Sequence, residues 1–284
     1  YNSRRPPKVA HVCGTDLIVE YIEKYVCPTI TSSQLLGGPS LRFAEDKRPN
    51  VVLVTWEDEY DAAKSLTGFA NVLRDRYGCR CAMLVGEKGQ GIAGLEELDA
   101  ADLMVLFARR KTLPKKQMDR IRKYLGSGGA LVALRTASHA FSVRGKTPEG
   151  EAQWPEFDPE VLGGHYHGHG NNKLGTDVTV VSEAASHPIL AGIAPKKWHS
   201  SGSLYYALPI DPKATLLLRG SLDERTKPIA WTRTYKGGRV FYTSLGHVDD
   251  FKLPQFRTLL AGAVFWAMDR PVPEAAPEKR SESR

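Results

Sequence analysis

Asn50-Val-Val-Leu-Val-Thr55 is an unbroken apolar run rich in β-branched residues. A run of this kind suits a strand covered on both faces, as in a parallel sheet. After the acidic-aromatic turn Trp56-Glu-Asp-Glu-Tyr60, apolar residues recur at helical spacing from Ala62 to Tyr77 and stop at Gly78, which predicts an amphipathic helix. Further strands are expected over 79–85, 103–107 and 128–134, with a helix from Pro114 to Leu125 before the last of them. This alternation predicts a doubly wound α/β domain, with a mostly parallel sheet flanked by helices in three layers. Ligands of such sheets bind beyond the carboxyl ends of the strands. That rule singles out Trp56 to Tyr60, Ala108 to Lys111, and Arg135 to His139.

The second half is less regular, with strands expected over 177–181, 214–218, 229–232 and 239–243, the last entered through Lys236-Gly-Gly238. His187-Pro-Ile-Leu-Ala-Gly-Ile193 reads as a turn and a short apolar docking segment, and a largely apolar helix is expected from Pro254 to Met268. The main domain therefore spans 49–270. Residues 1–48 form an N-terminal extension with one short helix over Asp16 to Tyr25, and residues 271–284, mainly Pro, Glu, Lys and Ser, form a tail expected to be disordered,.

Composition removes several classes of function. Hydrophobic residues make up 42% and charged residues 25%, as in ordinary globular proteins, and no apolar run approaches the roughly 20 residues of a membrane-spanning helix. The formal net charge is +7, and the basic residues sit mainly in an N-terminal group, a tail group and a helical face around Lys115, Lys116, Arg120, Arg122 and Lys123. No nucleic-acid-reading motif accompanies it, so a nucleic-acid partner is not expected. Cys13, Cys27, Cys79 and Cys81 form no metal-type pair; Cys13 and Cys27 could close a loop in an oxidising compartment, and buried free thiols fit the count equally well. That spacing and a chain opening on Tyr1 favour a periplasmic or secreted location over a cytoplasmic one.

Five of the eight histidines fall in three short loops. In Leu162-Gly-Gly-His-Tyr-His-Gly-His-Gly170, an extended chain would point His165, His167 and His169 the same way. They could contact a polar ligand, hold a divalent metal such as zinc, or face solvent. Leu134-Arg-Thr-Ala-Ser-His-Ala-Phe141 occupies the strand-to-helix elbow where α/β hydrolases expose a nucleophile. Ser138 lacks the G-x-S-x-G surroundings, and Arg135 cannot attack carbon but can clamp a carboxylate or polarise a sugar oxygen. In Thr243-Ser-Leu-Gly-His-Val-Asp-Asp250, His247 beside Asp249 or Asp250 suits proton transfer near neutral pH, or simple capping of the strand end. Glu57, Asp58 and Glu59, flanked by Trp56 and Tyr60, could form a sugar-binding surface of aromatic faces and paired acceptors, or a solvated acidic turn.

Leu162 to His169, His187-Pro-Ile-Leu-Ala-Gly192, Lys236-Gly-Gly-Arg-Val-Phe-Tyr-Thr-Ser-Leu-Gly-His247 and the closing Leu259 to Ala267 occur in the order found in ThuA-like (trehalose-utilisation) domains, which the chain resembles over about residues 49–270. The resemblance implies a class I glutamine amidotransferase-like, flavodoxin-like three-layer sandwich. Arg135 then falls where that fold carries its cysteine nucleophile, and His247 where it carries the partner histidine. Many family members have histidine at the elbow, so arginine departs from their pattern too. Without a thiolate at the turn, glutaminase chemistry is not expected.

The implied sphere is carbohydrate metabolism: binding or processing of a sugar or keto-sugar of the trehalose-like disaccharide type. On this reading the catalytic set is His247, Arg135 and His139, and Trp56, Glu57, Glu59, Tyr60, Arg109, His165, His167 and Asp249 bind substrate. The reaction would be of isomerase, lyase or hydrolase type, with no cofactor and with homo-oligomerisation compatible. The rivals are a non-catalytic carbohydrate-binding scaffold and a metal-dependent hydrolase using His165, His167 and His169.

Overall fold

The computed structural model describes residues 47–274. The expected Asp16–Tyr25 helix, the Cys13 and Cys27 pair, and the tail beyond residue 274 lie outside the described residues. Strand β1 (Asn50–Trp56) leads into helix α1 (Ala62–Tyr77). The helix stops because Gly78 adopts φ 67, letting its N–H reach Arg74 O and the N–H of Cys79 reach Leu73 O, a glycine-dependent C-terminal cap. Its buried face is Ala62, Leu66, Phe69, Ala70 and Leu73, the stripe expected of a helix lying on a sheet. Burial stabilises the larger of these side chains by about 1.5–3 kcal/mol each.

Strands β2 (Arg80–Glu87), β3 (Leu103–Ala108) and β4 (Leu131–Leu134) follow, with α2 (Lys115–Gly126) between β3 and β4. Then come β5 (Thr176–Val180), β6 (Lys197–Ser200), β7 (Thr215–Leu222), β8 (Arg225–Tyr235), β9 (Gly238–Thr243) and α3 (Pro254–Ala267). The sheet runs β6-β5-β7-β8-β9-β4-β3-β1-β2, with a two-residue strand, Gly91–Ile92, at the β2 edge. From β2 to β9 every pairing is parallel. From β9 to β6 every pairing is antiparallel. The architecture is thus a mixed α/β sheet with a parallel core. α1 and α3 cover one face and α2 the other, each over its own apolar cluster.

Two departures from the expected elements have local causes. β4 begins three residues later than expected because Gly128 (φ 85) and Gly129 pack against the β8–β9 turn, where a Cβ on Gly238 would lie 2.5 Å from Gly128 O. β7 and β8 extend beyond their apolar centres, pairing through Leu222 and Arg225 across an Asp223–Glu224 turn; hairpin hydrogen bonding carries polar residues that the apolar pattern leaves out.

The docking segment after His187 is a turn of 3-10 helix, Pro188–Leu190, against α3. A Cβ on Gly262 would sit 2.7 Å from Ile189 O. Helix propensity alone would make Gly262→Ala stabilising by about 1 kcal/mol. The backbone clash reverses that sign, and a net loss of about 1–3 kcal/mol is expected, read as a lower urea midpoint; an unchanged midpoint would show that the contact does not hold the helix.

Candidate functional site

In the parallel core, the chain leaves β1 and β3 on opposite courses, creating a crevice at their carboxyl ends,. The elbow after β4 borders it. There the chain turns from Leu134 straight into a 3-10 helix, Arg135–His139, with Arg135 at φ 46. A left-handed backbone on so bulky a residue is strained. The Tyr242 hydroxyl holds the turn by donating to Arg135 O at 2.9 Å.

The Arg135 side chain is only 1% exposed. Its Nη1 donates to Ser244 O at 3.0 Å and its Nη2 to Tyr60 Oη at 3.1 Å and Ser203 Oγ at 3.3 Å, while Nε has no acceptor. The guanidinium lies 4.2 Å from the Tyr60 ring centroid and 4.9 Å from that of Tyr205. Among the described residues it makes no ion pair. The forked donors anticipated for a substrate oxygen are therefore turned into the protein, and Arg135 forms the floor beneath Tyr60 and Tyr205.

His139, also buried, stacks on Tyr166 with ring centroids 4.4 Å apart, and its Nδ1 is 3.1 Å from Ser138 Oγ. Burial, reinforced by Arg110, Arg109, Arg144 and Arg135, pushes its pKa down to about 3, so it is a neutral imidazole at physiological pH. Tyr205 joins the group, 4.7 Å from Tyr166 between centroids.

His247, partly exposed, meets Tyr60 edge-to-face at 5.9 Å. Its backbone is latched by buried Asp250, whose Oδ2 accepts the N–H groups of Gly246 (2.8 Å) and His247 (2.9 Å) and whose Oδ1 accepts the Ser200 hydroxyl (2.7 Å). Its Nδ1 lies 3.5 Å from Asp249 Oδ2 and 3.3 Å from Asp249 N. A proton on Nδ1 would face that carboxylate and free the Nε2 lone pair; with Nδ1 accepting instead, Nε2 carries the proton. One imidazole can thus act as base or acid.

The acidic turn divides by role. Glu57 is buried and folds back, accepting the N–H groups of Glu59 (2.8 Å) and Tyr60 (2.6 Å), and burial raises its pKa. It shapes the loop that presents Tyr60. Glu59 pairs with Arg109 at 2.6 Å and Asp58 with Lys111 at 2.6 Å, while Lys111 also lies over the Trp56 ring.

The histidine ribbon alternates as expected, but the face carrying His165, His167 and His169 is the exposed one. His165 N, His167 N and Gly170 N bond to the 204–207 segment, and this register turns Tyr166 inward instead. Parity along an extended chain cannot tell which face meets the core. His165 lines a groove with Pro209 and Asp211, His169 another with Asn171 and Tyr206, and exposed His167 lies 6.1 Å from the Tyr206 ring centroid. Among the described residues no group of three or more His, Cys, Asp or Glu is placed to hold a metal.

Arg110 lies in the stretch Ala108 to Lys111 that the strand-end rule singles out, whereas Tyr166 and Ser203 were not singled out from sequence. Of these two, Tyr166 alone carried a usable signal, its opposite parity to the histidines. Cys79 and Cys81 are free thiols at the start of β2, far from the elbow along the strands, and burial raises them to about 11 and about 12, where thiolate chemistry is suppressed. Among the described residues no helix is long and apolar enough to cross a membrane.

A family model described as ThuA, trehalose utilisation, matches residues 51–267. No curated protein matches. Solved structures with the same fold include a ThuA-like protein from Bacteroides uniformis, 18% identical with TM-score 0.58, covering 81% of this chain and 95% of that one. Another is a ThuA-like protein from Parabacteroides merdae, 19% identical with TM-score 0.59, covering 82% and 94%. A cytoplasmic protein from Salmonella typhimurium is 16% identical with TM-score 0.54, covering 76% and 98%.

Proposed function

Since the chain belongs to the ThuA (trehalose utilisation) family, we propose that it binds and processes a sugar or keto-sugar in the crevice at the carboxyl ends of β1, β3, β4 and β9. The observation that carries this reading is the meeting of Tyr60, Arg135 and His247, drawn from three strand ends, beside the Tyr166, Tyr205 and His139 rings. Aromatic faces of this kind pack on the CH faces of a sugar ring. Because Tyr60 Oη accepts from Arg135, its own proton is free to be donated into the crevice, toward a carbonyl or hydroxyl oxygen. His247 Nε2 can then take a proton from the hydroxyl-bearing carbon next to that carbonyl and return it to the former carbonyl carbon, while the Tyr60 oxygen takes back the proton of that neighbouring hydroxyl as it becomes the new carbonyl. The sum is an isomerisation through an enediol, in which every proton removed is given back.

The elbow geometry without a thiol or an exposed hydroxyl speaks for proton transfer over acyl transfer. The family name supports a disaccharide of the trehalose type as the first substrate to try, together with its keto forms. Turnover of keto-disaccharides is expected to fall on the order of a hundredfold in both His247→Ala and Tyr60→Phe, with binding retained in calorimetry. Unchanged turnover in His247→Ala would end the proposal. Binding without turnover by the parent protein would point to a carbohydrate-binding scaffold.

A further inference from the structure

We infer that the sugar taken at this crevice bears an anionic group, a carboxylate or a phosphate, held by Arg110 and Arg144. The inference rests on the crevice being the sugar site and adds the charge of its ligand. Arg109, Arg110 and Lys111 leave the end of β3 in succession. The outer two have acidic partners, Arg109 with Glu59 and Lys111 with Asp58, each at 2.6 Å. Arg110 has none among the described residues: Nη1 reaches only Ser142 O at 3.2 Å, and buried Nε has no acceptor at all. Its backbone is held at φ 48, with its N–H donating to His139 O at 2.9 Å, which fixes its Cα beside the elbow.

Arg144 stands two residues beyond the Ser142 carbonyl that Arg110 holds; it is exposed and makes no ion pair among the described residues. The charge acting most strongly on both His139 and Tyr166 is that of Arg110. Burial and the like charge of Arg144 lower the pKa of Arg110, which marks a cation without its counter-charge.

The acids nearest in the fold are already committed. Glu59 is paired, Glu57 is tied to two backbone N–H groups, and buried Asp158 accepts from Tyr166 N at 2.7 Å. A guanidinium with no carboxylate partner among the described residues matches the planar or tetrahedral oxygens of a carboxylate or phosphate,. Such an anion would supply the negative partner that Arg110 lacks among the described residues.

Calorimetry on the full chain with glucose, glucuronate and glucose 6-phosphate, and with trehalose and trehalose 6-phosphate, tests the inference. The charged forms are expected to bind at least about tenfold more tightly than their neutral parents, as one charge-assisted pair can supply. The advantage should shrink as salt is raised. It should be lost in Arg110→Met and in the exposed, folding-safe Arg144→Ala, while the neutral sugars bind as before. Whether glucuronate or glucose 6-phosphate shows the larger advantage tells a carboxylate from a phosphate. Equal affinity for charged and neutral forms would overturn the inference and leave the sugar site standing, whereas no binding by any of the five would overturn both.

Discussion

Asp250→Ala is expected to lower the unfolding free energy by roughly 3–5 kcal/mol and to remove sugar binding with it. Asp250 is 1% exposed and gathers three donors: Gly246 N, His247 N and the Ser200 hydroxyl. Alanine would leave two buried N–H groups and a hydroxyl without an acceptor, at about 1–3 kcal/mol for each group that cannot reach water. It would also strip Arg135 of a negative charge that acts on it. The latch fixes the backbone of His247, and Gly246 can follow the required path because it holds φ 127, with a Cβ there meeting Arg135 Cβ at 3.4 Å. Asp250→Asn separates charge from hydrogen bonding. An amide oxygen still accepts both N–H groups and the Ser200 hydroxyl can turn to accept from the amide nitrogen, so about half the loss is expected. Urea unfolding of the two variants decides the matter: equal midpoints for Ala and parent would mean that the loop holds itself without the carboxylate.

The contrast between Asp250 and its neighbour shows what sequence can and cannot reveal. His247 with an acid close by was legible, because Asp249 and Asp250 follow it within three residues at the strand end. Which acid does what was not. Asp249 faces Nδ1 from the surface while Asp250 turns inward under the backbone, and only the curl of a short 3-10 turn, Asp250–Lys252, sends adjacent side chains opposite ways. The parallel core was legible for a different reason: strands buried on both faces must be apolar where they are covered, as β3 and β4 are throughout and β1 is from Val51 to Val54,. β6 is half exposed, Lys-Trp-His-Ser, and its place at the sheet edge comes from pairing with β5 rather than from any apolar pattern. The floor of the site was half visible. Arg135 stood out at the elbow, but Ser203 and Tyr205 come from a loop between β6 and β7 whose approach depends on the antiparallel half of the sheet. Long-range pairing decides that approach, and local propensity carries no trace of it.

Tyr166 connects two buried groups that titrate in opposite senses, and together they predict an unusual stability profile. Its ring stacks on His139, held down to about 3, and its N–H donates to Asp158, which burial raises to about 7. Unfolding returns His139 toward 6.5 and Asp158 toward 3.8. For His139 the unfolded chain binds a proton that the native state refuses, so its contribution is full above about 6.5 and is lost as pH falls toward 3,. For Asp158 the native state keeps a proton that the unfolded chain releases, so its contribution is full below 3.8 and is lost as pH rises through about 7,. Between 3.8 and 6.5 the two slopes, each about 1.4 kcal/mol per pH unit, oppose one another,. Their joint contribution to the stability of the parent protein is therefore flat across that window. Asp158→Asn leaves only the histidine slope, and roughly 3 kcal/mol should be lost on acidification across the window. His139→Phe, which preserves the stack on Tyr166, leaves only the carboxyl slope, and stability should rise by a similar amount over the same range. Urea midpoints measured across those pH values for the parent and both variants give the test. Slopes of the same sign in the two variants would show that these groups do not hold the protonation states assigned to them, and the neutral His139 beside the sugar crevice would have to be given up.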